Sequence, residues 1–523
     1  MKLKSFPSTS PHRYELALYP GEWSPAPLQN ERTRFNNTIA EIAFLTLITA
    51  LALAVHGFHY GIEDEAIYLP AIKKNLDPAL YPFDSGFFLS QTRFTIFPLL
   101  IAFLAKVAPL SLAWVVFIAH LLSLLLVLTA CRRLSRQCFV DTKSQWAAVL
   151  TIAVVMTLPV AGTALYVMDQ HLHPRSPATA AILWSLSELL EGRYYKAGLG
   201  FLITLLIHPL MGAFGVVFAV FLLCRSGKQL LAFGLALLSF APLPIALASP
   251  SAAWREAASG VSYYYLLRWE WYEWIGIFAP IVLLGWFGYV GKRGGLKVLQ
   301  RISWRLAAFG LFFFILAVAL TIPTRFERAV SFQPMRFLHL VYLLLFMFAG
   351  GLIGKWILRD RPIRWLIFFA PLCILMFLVQ RQLFSASPHI EWPGVARKNG
   401  WLEAFEWVRQ NTPRDAMFAL DPYYLQSEGL DYHGFRALAE RSMLADRGKD
   451  RTVATLAPAI AESWLAQVNA RDGWGDFCSE DFHRLKQGFR VTWVVIENRR
   501  VVNPPGGITC PYRNEAVSVC KIE

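Results

Sequence analysis

Residues 61–70 read GIEDEAIYLP, so three acids, Glu63, Asp64 and Glu65, stand in a row after an apolar run and just before Tyr68. Adjacent carboxyls repel and partial burial disfavours ionising both, so one of them is expected to hold its proton above the ordinary carboxylate range, where it can act as acid or base. Further on, MDQHLHPRSP places Asp169, His171 and His173 as Asp-x-His-x-His, and alternate side chains of an extended segment project together. With Asp64 this set could hold a divalent ion (Mn, Mg or Zn), or it could hydrogen-bond a substrate or orient a base. His208 ends a short apolar run, and PTRFERAVSFQPMRFLH (323–339) gathers Arg325, Arg328, Gln333, Arg336 and His339. Arginine grips oxyanions through paired N–H bonds, which makes Arg336, near Gln333 and closest to the hydrocarbon, the first choice for that task. Arg93 and Arg175 are further candidates. Each has a plainer alternative: the acids as a helix N-terminal cap, the arginines as headgroup anchors, and His208 and His120 as helix histidines with satisfied hydrogen bonds.

The elements that must carry these residues are membrane helices. Of the 523 residues, 55% are hydrophobic and 16% charged, too apolar for an ordinary soluble enzyme. Uninterrupted runs such as IAEIAFLTLITALALAV (39–55) and LAAFGLFFFILAVALTI (306–322) approach the roughly 20 residues that span hydrocarbon. Lys and Arg in short loops stay cytoplasmic. Basic clusters in the leader (Lys2, Lys4, Arg13, Arg32, Arg34) and at 131–136, 191–196, 224–228, 291–305 and 355–364 therefore set the topology. The expectation is about eleven crossings, near 39–56, 110–130, 146–166, 178–190, 197–208, 209–223, 230–248, 274–290, 306–322, 337–354 and 365–380, with the N-terminus inside and the C-terminus outside. Segment 92–108 is read as lying along the outer interface or re-entering, because a crossing there would put CRRLSR outside. The leader, 1–38, shows no cleavage site and is expected to stay attached. The net charge of +14 follows from the cytoplasmic loops and calls for no nucleic-acid partner.

Residues 39–384 thus form a transmembrane domain with an exterior loop at 57–93, and residues 385–523 a separate exterior domain. Its helix spans WLEAFEWVRQNTP (401–413), with Trp401, Leu402, Phe405 and Val408 on one face, and strands follow at 416–420, 491–497 and 516–522, a small α/β domain. Trp401 and Trp407 are expected in its core. Cys510 and Cys520 flank a turn and strand where an oxidising exterior would let them pair; two free buried thiols are the alternative. The aromatic run SYYYLLRWEWYEW (262–274) is read as part of the interfacial belt.

The first span, an exterior loop with Asp64-Glu65-x-x-Tyr68, a helix-like AIKKNLDP, an interfacial segment and a second span ending in a basic cluster resemble the polytopic GT-C glycosyltransferases. The likeness is to their protein mannosyltransferase and aminoarabinose transferase branches and covers the whole layout, including WVRQNTPRDAMFAL after the last span. The chain departs from them in having TRFTIFPLL where a Lys-Pro-Pro-type segment is usual, and it lacks a Trp-Trp-Asp motif. The resemblance implies transfer of a sugar, with inversion, from a polyprenyl-phosphate donor in the lipid bilayer to a hydroxyl or amine of a glycan, lipid or protein acceptor, at the outer face of a bacterial inner membrane. It makes Asp64 the base, with Glu65 beside it. Tyr68, Asp169, His171, His173, His208, Gln333, Arg336 and His339 become substrate-binding candidates, and Arg336 the partner of the lipid phosphate. A transporter or lipid flippase, or a non-catalytic scaffold of the same fold, is the alternative.

Overall fold

A computed structural model describes residues 31–224, 226–240, 249–395, 399–498 and 507–523; side chains of 31–37, 237–240, Thr324 and Arg325 are outside it. The basic leader residues Lys2, Lys4, Arg13, Arg32 and Arg34 and the end of the expected 230–248 segment lie outside the described residues or side chains. The chain divides into two compact units, 1–44 and 45–523. The described part of the first is the opening of α1 (Glu31–His56).

The second unit continues with α2 (Glu65–Leu76), α3 (Gly86–Thr92), α4 (Phe97–Val107), α5 (Leu112–Cys138) and α6 (Thr142–Val154). A hairpin of β1 (Pro159–Val160) and β2 (Leu165–Tyr166) precedes α7 (Arg175–Leu190), α8 (Tyr194–Ile207), α9 (Pro209–Leu223), α10 (Gly227–Phe240) and α11 (Ala252–Ser259). Then come α12 (Trp271–Arg293), α13 (Lys297–Thr321), α14 (Leu338–Ile353) and α15 (Pro362–Leu383). Among the described residues, six helical stretches are long and apolar enough to cross a membrane: 38–56, 112–138, 271–293, 297–321, 326–358 and 362–383. Exposed Leu47, Leu122, Leu366 and Ile367 on these helices face outward, as in a protein solvated by lipid. The chain has the make-up of an integral membrane protein.

Two stretches depart from uniform helices. Segment 92–108 enters a pair, α3 and α4, bent by 100°, the geometry of either a broken span or a re-entrant loop. The apolar stretch 146–166 is helical only as far as Val154. Pro159 cannot continue the helix and Gly162 takes φ +51°, so MTLPVAGTALY turns back as a hairpin.

The C-terminal part contains α16 (Gly400–Asn411), β3 (Met417–Ala419), α17 (Phe435–Ala439), β4 (Ser442–Met443), α18 (Lys449–Leu456), α19 (Ala461–Asn469), α20 (Ser479–Phe489), β5 (Trp493–Glu497), β6 (Ile508–Arg513) and β7 (Val517–Ile522). Its sheet runs β4-β3-β5-β7-β6, parallel across the first three and antiparallel thereafter. Trp401, Leu402, Phe405 and Val408 bury one face of α16, and Trp407, half-buried, stacks on Tyr512. Cys510 and Cys520 form a disulfide between β6 and β7. No seam separates this region from the helices that precede it. One hydrophobic cluster joins Phe58, Tyr68, Phe97 and Val116 to Phe405 and Phe418.

Candidate active site

The acidic loop is clamped on both sides. His59 N–H donates to the Gln170 carbonyl, Gly434 N–H to Gly61, and Glu63 N–H to Tyr432. Within this clamp the three acids separate. Glu65 is buried, and its two oxygens accept the N–H groups of Gly61 at 2.6 Å and Leu172 at 3.0 Å. It pins the acidic loop to the Asp-x-His-x-His loop. Glu63 takes a left-handed backbone, φ +49°, a conformation that costs a non-glycine residue about 1 kcal/mol or more and recurs at functional sites.

Asp64 occupies the N-cap position of α2, but its side chain caps no backbone N–H there. Its Oδ1 accepts from the Lys449 ammonium at 2.8 Å, and Oδ2 lies 3.2 Å from His173 Nε2. The same ammonium donates to Glu63 Oε2 at 2.7 Å. His173 Nδ1 accepts the backbone N–H of Arg175 at 2.9 Å, so the ring proton resides on Nε2 and points at Asp64. Burial alone would raise the Asp64 carboxyl, but the Lys449 charge, with His173, outweighs it and holds the group well below the ordinary carboxylate range. At Asp64 the shift is downward, because its near neighbour is a lysine. Burial would lower the Lys449 ammonium, yet the Asp64 and Glu63 carboxylates push it above its ordinary value.

Behind this pair, Asp169 meets Arg175 at 2.5 Å, both buried. Burial opposes the charge on Asp169, and Arg175 first among its neighbours overrides it, leaving the carboxyl below its ordinary range. Arg175 keeps Nε and Nη1 without a protein partner, as do both ring nitrogens of His171. Burial pushes the His171 imidazole down to about 3, so it is neutral. Tyr68 meets the His173 ring edge-on with centroids 5.3 Å apart. Burial and then Asp64 raise its hydroxyl to about 12, while Arg175 and Arg336 pull the other way. His208 lies 5.8 Å from His173, centroid to centroid, within electrostatic reach of Arg175, Arg336 and His339. His339 donates Nε2–H to the Val167 carbonyl at 2.9 Å, supporting the same loop from α14.

Gln333, left-handed at φ +51°, donates to the Tyr264 hydroxyl at 3.3 Å and leaves its carbonyl oxygen buried without a partner. With Thr163 of the hairpin, Tyr263, Tyr264 and Arg336 it lines a small open cleft. The aromatic run thus divides: Tyr263 and Tyr264 face this cleft, while Trp271 and Tyr272 are exposed at the start of α12, as a belt requires. Arg336 lies over the Tyr263 ring with Nε unpartnered. Arg93 stays outside, exposed and stacked on Phe94, and the side chain of Arg325 is outside the described residues. Arg328 has a buried, unpartnered Nε.

The donors do not suit a metal ion. Among the described residues no three His, Cys, Asp or Glu side chains are placed to share one ion. Both nitrogens of His173 are engaged, and Asp169 is turned to Arg175. Lys449 was not singled out from sequence, because ADRGKDR reads as a solvated polar turn. No protein-family model matches the chain, and no curated protein matches it.

Proposed function

We propose that the chain is an inverting GT-C-type glycosyltransferase with about eleven crossings, a cytoplasmic N-terminus and an exterior C-terminal α/β domain. Its substrate is a sugar on a polyprenyl phosphate. The observation that carries the reading is the gathering of opposite charges around Tyr68. A carboxylate, Asp64, is oriented by His173, and two arginines with unpartnered N–H groups, Arg175 and Arg336, act on the same tyrosine. The acceptor oxygen or nitrogen attacks the anomeric carbon from the face opposite the phosphate. As that bond forms, the carbon–oxygen bond to phosphate breaks and its electron pair stays on the phosphate oxygen. The acceptor proton passes to Asp64. A carboxylate of low proton affinity can take it because a nucleophile becomes strongly acidic once its new bond is largely made. Arg336 and Arg175 stabilise the departing phosphate.

A lipid donor suits the surroundings. On α4, Phe97 packs against Tyr68 while Leu99, Phe103 and Val107 on the same helix are exposed, offering an apolar path for an isoprenoid chain beside the site. The test uses the full chain in lipid nanodiscs with radiolabelled polyprenyl-phosphate sugars and a membrane extract as acceptor source. Release of polyprenyl phosphate together with labelled acceptor supports transfer; movement of intact labelled lipid across liposomes without cleavage would replace it with a flippase.

A further inference from the structure

The group that meets Asp64 most closely comes from a segment 385 positions away in the chain. Its delivery is built from buried charge. Asp446 Oδ1 accepts the N–H groups of Gly448 at 2.8 Å and Asp450 at 3.2 Å, winding the start of α18 tightly. Asp450 then forms a two-pronged pair with Arg436, 2.9 Å on each arm, and all three side chains are buried. Trp464 ties the turn down by donating Nε1–H to the Asp446 carbonyl at 2.9 Å. At the other end of α18, Thr455 Oγ1 meets the Tyr264 hydroxyl at 2.8 Å, and its carbonyl accepts from Trp254 Nε1 at 2.9 Å. One short helix therefore touches both the carboxylates and the wall of the Arg336 cleft.

A lysine held like this has a narrow set of roles. Its side chain is 22% exposed, and stripping it of its carboxylates would leave a poorly solvated, uncompensated charge. It is therefore a fixture of the site and not a mobile plug. Glu63 and Asp64 are adjacent acids with no other cation bonded to their oxygens in the described contacts; between them the ammonium replaces repulsion by a shared attraction.

We propose that Lys449 is a positioning residue of the transfer site: its ammonium holds the Glu63 and Asp64 carboxylates side by side and presents Asp64 to the acceptor, so the C-terminal α/β region completes the site instead of only covering it. The inference rests on Asp64 being the proton acceptor. The depressed carboxyl of Asp64 is a consequence of the same contact.

Carbodiimide reacts with protonated carboxyls, and with a small amine as trap its products can be assigned to single side chains by mass spectrometry. Full-length protein in nanodiscs is labelled from about pH 5 to pH 8, with Glu65 as the internal check on folding. Wild type is expected to show little labelling at Asp64 over this range. Lys449→Met and Lys449→Gln are expected to raise it roughly tenfold or more near pH 6, with Glu65 still protected, and Lys449→Arg to return it to the wild-type level. Equal Asp64 labelling in wild type and Lys449→Gln, with Glu65 protected in both, overturns the proposal. So does a rise in Lys449→Arg as large as in Lys449→Gln. If Lys449→Met also exposes Glu65, the Gln and Arg variants decide. The labelling needs neither donor nor acceptor, so its failure is distinct from a failure to observe sugar transfer.

Discussion

His173 donates its Nε2 proton to Asp64 Oδ2 across 3.2 Å because a backbone N–H, that of Arg175, fixes the ring's other nitrogen as an acceptor. The tautomer is thus set by the first turn of α7, and the carboxylate is held from two directions. Replacing His173 with Phe preserves the edge contact to Tyr68 but removes the donor. Turnover is expected to fall roughly tenfold to a hundredfold, with donor binding nearly unchanged, in a steady-state assay of polyprenyl phosphate release.

Glu65 and Asp64 should separate cleanly in mutagenesis. Glu65→Ala leaves the buried N–H groups of Gly61 and Leu172 without acceptors and is expected to destabilise the protein by about 1–3 kcal/mol per orphaned group, seen as a lowered thermal midpoint in detergent. Asp64→Asn orphans no backbone N–H and leaves Glu63 on the Lys449 ammonium, so it is expected to lower that midpoint by less than Glu65→Ala.

Two sets of carboxyls respond to pH in opposite senses. Asp64 and Asp169 are held below the ordinary carboxylate range, so their contribution to stability is complete above about pH 4 and is lost only as pH falls through their lower folded values. Asp446 is raised above the ordinary carboxylate range by burial and by the charge of Asp450. Folded protein then binds a proton that unfolded protein has lost, and stability declines as pH rises above about 4 toward the higher folded value. Asp446→Asn retains an oxygen for the Gly448 and Asp450 N–H groups. It is expected to raise the unfolding midpoint more at pH 8 than at pH 5 when both proteins are melted in the same buffers.

Where α2 packs against the start of α17 there is no room for a methyl group. A Cβ on Gly434 would stand 2.5 Å from Ala66 Cβ. Gly434→Ala is expected to cost about 1–3 kcal/mol and to raise protease cleavage within 57–65, measured by limited proteolysis of the reconstituted protein.

Much of this arrangement could be read from the sequence. Long apolar runs marked the helices because a lipid-facing helix such as α15 must be apolar nearly all round, and Trp401, Leu402, Phe405 and Val408 at helical spacing, ended by Asn-Thr-Pro, marked α16. Asp64, Asp169, His173 and Arg336 stood out because charge beside hydrocarbon is costly. The β1–β2 hairpin did not, since its composition is that of a span and only Pro159 and Gly162 interrupt it. Lys449 carried no local signal either: its meaning comes from a contact made across most of the fold, and from Arg436 and Asp450 beneath it.

The most direct measurement is release of polyprenyl phosphate by Asp64→Asn relative to wild type, in nanodiscs with the same labelled donors and acceptor extract, alongside binding of undecaprenyl phosphate to each. The expected result is a loss of about a hundredfold or more in release with phosphate-lipid binding within twofold of wild type. Release by Asp64→Asn at the wild-type rate, with the protein folded and the lipid bound, would contradict Asp64 as the group that takes the acceptor's proton.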